Sequence, residues 1–175
     1  MITTDKYQLW PFVLLENGTW SIPDKLLQQI WESITRREKN EIVFYDVPVK
    51  TFEEWGKFLK TPANHCTFVV DAERKEFCFM AWLNNIHGHV ADGHFIGITP
   101  YKPAMGKLVL KYWSQMGLPL LIIGIMPAWN SIAIRMALSL GVRKGGVIPR
   151  YCFKSKTKTY SDAIITYYDT QEVKL

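Results

Sequence analysis

Between His87 and His94 the chain reads HGHVADGH, which gathers three imidazoles and the Asp92 carboxylate in one short run. His87 and His89 share one face of an extended strand, but a turn residue and Gly93 break that register before His94. No second ligand pair with metal-site spacing follows, so the run predicts no metal centre. The stretch 93–149 offers different chemistry. It reads as strand, short turn, amphipathic helix, apolar strand, and a second helix opened by Asn130 and closed by Gly141. That order sets two helix N-termini, with their unbonded amide donors, beside the carboxyl ends of neighbouring strands, a place suited to a phosphate-bearing ligand. Cys152 has no His or Asp near it in sequence and reads as a buried strand residue rather than a nucleophile.

The elements that must position this core follow from periodicity. Pro23 stands where a helix begins, and Leu26, Leu27, Ile30, Trp31 and Ile34 recur at helical spacing. An apolar run at 42–47 precedes a second helix, opened by a Thr51–Glu54 capping box and given an apolar face by Trp55, Phe58 and Leu59. Strands are predicted over 66–71, 76–83 and 89–98, with turns at 72–75 and 84–88. A helix beginning near Ala104 carries Met105, Leu108, Val109, Tyr112, Trp113 and Met116 on one broad face, and Gly117 and Pro119 stop it. Residues 120–126 are apolar on both faces, as in a central covered strand. The next helix buries Ile132, Ala133, Met136, Ala137 and Leu140. Strands at 146–153 and 163–168, joined by a lysine-rich turn, close the chain. Near the N-terminus, 10–15 and the turn at Glu16-Asn17-Gly18 suggest a short strand or hairpin.

At 175 residues, 48% hydrophobic and 14% aromatic, the chain has the material for one well-cored domain, and no repeat or linker divides it. No apolar run reaches membrane-spanning length and no signal peptide opens the chain, so a cytoplasmic protein without a membrane partner is expected. Its three cysteines form no CxxC pair and read as reduced, buried small side chains. The net charge of +5 is concentrated in Arg143, Lys144, Arg150, Lys154, Lys156 and Lys158. A solvated basic hairpin explains it better than a nucleic-acid site, since no nucleic-acid motif accompanies it.

Taken together, two N-terminal helices, an antiparallel run, strand–turn–helix–strand–helix and a final hairpin resemble the Gcn5-related N-acetyltransferase (GNAT) family. The resemblance is best over residues 66–170. It rests most on Asn130 with Ala133, on Leu140-Gly141-Val142, and on Gly146-Val147-Ile148-Pro149. It implies an α/β fold over 1–175, in which a mixed, mostly antiparallel central sheet is flanked by helices around an acyl-CoA-type strand–helix–strand–helix core. Residues 1–65 form its N-terminal helical part.

The resemblance also implies acetyl-CoA, or a related acyl-CoA, as acyl donor to a small-molecule or protein amine, and it leaves homodimerisation open. Ile96, Gly97 and Ile98 would give backbone contacts to the pantetheine arm, which Asn130 and Ala133 would anchor. The family's phosphate loop has the form Gln/Arg-x-x-Gly-x-Gly/Ala. Tyr101-Lys102-Pro103-Ala104-Met105-Gly106 stands in its place, followed by Lys107. The last glycine is kept as Gly106, the first is Ala104, Tyr101 or Lys102 takes the Gln/Arg position, and Pro103 lacks an amide donor. His94 falls where the family's base commonly lies, and an imidazole can take a proton near neutral pH. The family's tyrosine acid falls at Ala137, with Ser139 nearby but on another side of the helix. These departures imply a second reading, a catalytically eroded GNAT-fold binding or structural protein, conceivably of phage or mobile-element origin.

Overall fold

A computed structural model describes residues 2–4, 6–36, 49–116, 121–154 and 157–171. The apolar run at 42–47, the end of the first helix beyond residue 36, and the stop at Gly117 and Pro119 lie outside them.

Eight strands form one sheet in the order β1-β2-β3-β4-β5-β6-β8-β7. They are β1 (Ile2–Thr3), β2 (Tyr7–Pro11), β3 (His65–Asp71), β4 (Glu76–His87), β5 (Val90–Gly97), β6 (Leu121–Pro127), β7 (Arg143–Lys154) and β8 (Thr159–Asp169). Every neighbouring pair is antiparallel except β5 and β6. The described helices are α1 (Asp24–Thr35), α2 (Phe52–Lys60), α3 (Pro103–Gln115) and α4 (Ser131–Ser139). The mixed, mostly antiparallel sheet flanked by helices is the architecture that the sequence predicts.

Strand alternation divides the core in two. Along β4, Phe79, Ala81 and Leu83 join Met105, Leu108 and Trp113 of α3 and Met136 of α4. The intervening Met80 and Trp82 join Leu27, Ile30 and Trp31 of α1 and Trp55 and Leu59 of α2. Trp31 stacks on Trp55 with centroids 5.5 Å apart, which locks the two N-terminal helices together. The Thr51 capping box forms as predicted: Thr51 accepts from the Glu54 amide, and the Glu54 carboxylate accepts from the Thr51 amide. The Lys50 amide, donating at 2.7 Å, and then the Thr51 amide hold the Glu54 carboxyl below its ordinary range.

Three expectations change. The turn predicted at 84–88 is shorter and later. β4 runs on to His87 through a bulge at which Asn85 takes a φ of 48°, and the chain reverses at Gly88, φ 58°. Ile132, predicted on the buried face of the second core helix, is 70% exposed. The inward stripe of α4 runs through Ala133, Met136, Ala137 and Leu140, and Ile132 lies one residue off it. The final hairpin is longer than predicted, and bulges in the edge strand β7 accommodate Pro149 and Arg150.

Gly93 sits at the last stretch of β5 that touches β6, and a Cβ there would run into the Ile122 side chain. Gly93→Ala should therefore lower unfolding stability by about 1–3 kcal/mol, the usual range for overpacking. Urea unfolding checks this, and stability equal to or above that of the parent would contradict the packing described.

Candidate functional site

The site begins where the one parallel pair comes apart. β5 and β6 pair at Val90–Leu121, Ala91–Ile122 and Asp92–Ile123, and there the ladder ends, although β5 continues to Gly97 and β6 to Pro127. Glycines mark the parting on both strands. A Cβ on Gly124 would stand 2.8 Å from Thr166 Oγ1 and 3.8 Å from the Gly93 carbonyl oxygen. The wedge opens a narrow cleft of about 60 Å³, with Phe79 and Phe95 on one wall, Met126 on another, and α3 and α4 closing it through Val109 and Ala137.

The direction of the β5 backbone decides what meets this wedge. The Ile98 amide donates to Cys78 O at 2.8 Å, so even-numbered positions of β5 bond to β4. The Leu121 amide donates to His89 O at 2.7 Å, which marks odd-numbered positions as those turned toward β6. Gly93, Phe95 and Gly97 thus direct their backbone groups to the wedge. Of the three residues predicted to line a ligand arm, Gly97 faces it, whereas Ile96 and Ile98 face β4 and bury their side chains among α1 and α2. Phe95 was missed. Only the pairing register reveals it, because its aromatic side chain reads as ordinary core.

The predicted phosphate loop divides in the same way. Lys102 is the N-cap of α3, with Pro103 as its first residue. The Met105 amide is taken by Lys102 O at 3.0 Å, and Met105 and Gly106 are buried. A Cβ on Gly106 would lie 2.6 Å from Leu140 Cδ1 and 2.9 Å from the Tyr101 hydroxyl, so this glycine lets α3 approach its neighbours. What remains exposed is Ala104, whose amide has no partner among the described residues, together with Lys102 and Lys107. Burial pushes the Tyr101 phenol above its ordinary range, and the Ser139 hydroxyl partly offsets this.

Asn130 caps α4: its side-chain oxygen accepts from the Ala133 amide at 3.2 Å. His94 lies on the α1–α2 face of the sheet, half-buried and stacked on Trp82 with centroids 4.9 Å apart and planes within 5°. Its Nε2 is 3.0 Å from Asn84 Oδ1. With that carbonyl as acceptor, the neutral ring carries its proton on Nε2 and its lone pair on Nδ1. Asp92 accepts from the Asn85 amide group at 2.9 Å. Among the described residues no group of three or more His, Cys, Asp or Glu side chains could hold a metal ion.

No proton donor stands at Ala137, which lines the cleft and is 2% exposed. The Ser139 hydroxyl is committed to Met136 O at 2.7 Å. A donor is present that sequence reasoning missed: Tyr168 of β8 lines the same cleft, is 2% exposed, and its hydroxyl has no hydrogen-bond partner among the described residues. Burial raises the pKa of this phenol, so it holds its proton. The three cysteines are buried and form no disulfide, and burial pushes the Cys66 thiol up to about 12, out of reach as a thiolate.

No family model matches this chain, and neither does any curated protein. Solved structures do match it over nearly their whole lengths. The ribosomal-protein-S5-alanine acetyltransferase of Vibrio fischeri superposes with a TM-score of 0.72 at 16% identity, covering 99% of this chain and 98% of that one. A spermidine N-acetyltransferase of Vibrio cholerae, in complex with CoA and spermine, superposes with a TM-score of 0.70 at 18% identity, covering 94% and 97%. The strand order, the single parallel pair and this end-to-end superposition give the chain the fold of the Gcn5-related N-acetyltransferases.

Proposed function

We propose that this chain transfers an acyl group, acetyl in the simplest case, from a CoA thioester to an amine. The observation that carries the reading is the wedge: an apolar cleft edged by the turned-in backbone of Gly93, Phe95 and Gly97, at the parting of the parallel strands. An amide-bearing, mostly apolar arm matches such a surface, because a strand edge supplies donors and acceptors in register and the walls supply burial. The Phe95 amide and carbonyl, which have no partner among the described residues, suit the amides of a pantetheine arm. The phosphates would be met by Lys102, Lys107, the Ala104 amide and the positive end of α3 rather than by a ring of glycine amides. Bound there, the donor supplies an activated acyl carbon.

His94 would take the proton released by the attacking amine, held in place by Trp82 and Asn84. Its position on the α1–α2 face of the sheet supports an acceptor bound on that side. The acceptor in this reading is an amine on a small molecule or on a protein. The reduced, buried cysteines suit a cytoplasmic enzyme. Among the described residues no helix is long and apolar enough to cross a membrane. Ala137 and the buried Gly106 favour a second reading, a binding protein on the same fold in which transfer has been lost.

Acetyl-CoA at 100 times its dissociation constant should stabilise the protein by about 2.7 kcal/mol. A thermal-shift titration measures this, and no shift at millimolar acetyl-CoA would overturn the reading. If transfer occurs, His94→Gln should lower turnover by about 10²–10⁴-fold with acetyl-CoA affinity nearly unchanged. Thiol release from acetyl-CoA in the presence of spermidine or a peptide with N-terminal alanine reports it, and undiminished turnover removes His94 from the mechanism.

A further inference from the structure

The floor of the cleft is the α3 side of the sheet, to which alternate residues of three strands turn: Gly93 and Phe95 of β5, Gly124 and Met126 of β6, Thr166 and Tyr168 of β8. Parallel strands need a crossover, and α3 is the crossover between β5 and β6. It therefore runs back from the ends of these strands toward their beginnings. Gly106, in its first turns, roofs the outer part of the cleft, and Trp113, near its last turn, roofs the inner part. A chain that enters at the head of α3 is led backward along β5, over a floor left bare by the glycines at 93 and 124.

Two hydrogen-bond donors stand at the inner end without a partner. Trp113 is 4% exposed and Tyr168 2%, and both line the cleft. Neither the indole Nε1 nor the phenol hydroxyl has a partner among the described residues. An indole N–H can only donate, so whatever satisfies it must offer an acceptor. Around them lie Ala81, Leu110 and Ile122, and no charged side chain among the described residues lines the cleft. The complement of such a place is neutral, apolar along its length, and carries an oxygen at its far end.

The spacing says which oxygen. Tyr168 pairs with Ile122, which pairs with Ala91, two positions before Gly93. Two strand positions span about 6–7 Å. A carbonyl carbon at the level of Gly93 reaches that far through two more carbons, an oxygen and one hydrogen bond. Resting on the acyltransfer reading, we propose that the inner end of the cleft is an acyl-chain subsite for a short 3-hydroxyacyl or 3-oxoacyl thioester of CoA, whose third-carbon oxygen accepts from Trp113 Nε1 and the Tyr168 hydroxyl. An acetyl group leaves the subsite empty. A saturated chain fills it but leaves both donors unpaired. A chain that ends in a carboxylate, such as succinyl, sets an unpaired charge among apolar side chains.

The test is the binding of a series of thioesters, followed by calorimetry. Wild type should bind 3-hydroxybutyryl-CoA at least about tenfold more tightly than butyryl-CoA, the range of one or two net hydrogen bonds. Succinyl-CoA should bind no more tightly than butyryl-CoA. Tyr168→Phe and Trp113→Phe should each shrink the preference for the hydroxylated chain by about threefold or more. The preference is a ratio read within each folded variant, so a change in stability does not enter it. If Trp113→Phe fails to fold, wild type and Tyr168→Phe decide. Equal affinity for the two four-carbon thioesters in wild type, acetyl-CoA as the tightest ligand of the series, or an unchanged preference in Tyr168→Phe overturns the proposal while the acyltransfer reading stands. Absence of binding by every thioester overturns both.

Discussion

Strands that pair in parallel for three positions and then diverge end their shared ladder while the Phe95 backbone still turns toward the gap. A buried polar group left in that condition costs about 1–3 kcal/mol, so a fold that opens such a gap must be held open by everything around it. Here the outer edges of both strands are fully engaged. β5 is zipped to β4, and β6 is paired to β8 along its whole length from Leu121 to Pro127. Above the gap, α3 and α4 meet over Gly106 and Leu140, and their approach caps the cleft without filling it. The glycines at 93 and 124 let the strands touch closely just where they separate.

The gap also organises the two halves of the molecule. The α1–α2 face and the α3–α4 face of the sheet bring different side chains to it. The first supplies His94, fixed by a parallel stack on Trp82 and by Asn84. The second supplies an apolar cleft with one buried phenol. The first turn of α3 adds positive charge at the outer end through the exposed Lys102 and Lys107; in the proposed function these flexible cations would stand in for the rigid amide ring of a glycine loop. Binding by long cations is more sensitive to salt than binding by backbone amides.

Much of the fold was legible in the chain itself. The alternation in β3 and β4, the capping box at Thr51 and the cap at Asn130 are local signals, and local signals survive folding unchanged. The candidate site was less legible, because its decisive features are differences of one residue in register. Whether Phe95 or Ile96 turns its backbone to the gap depends on which of them bonds β4, and nothing in the string GHFIGI states that. Gly106 matches a phosphate loop by spacing, yet its missing side chain serves the packing of α3 on Leu140 and Tyr101. Tyr168 lies in the apolar run 163–168, where a tyrosine reads as ordinary packing. Its importance arises only because β8 lies next to β6, forty residues away in sequence.

The central claim is that the parting of β5 and β6 is the seat of an acyl-CoA arm, and backbone amide exchange tests it most directly. With residue-resolved hydrogen exchange in the presence and absence of CoA, the amide of Phe95 should gain protection, together with that of Ala104 at the head of α3. Amides of α1 and α2 should change little. CoA-dependent protection confined to other parts of the molecule, with Phe95 unaltered, would contradict the account.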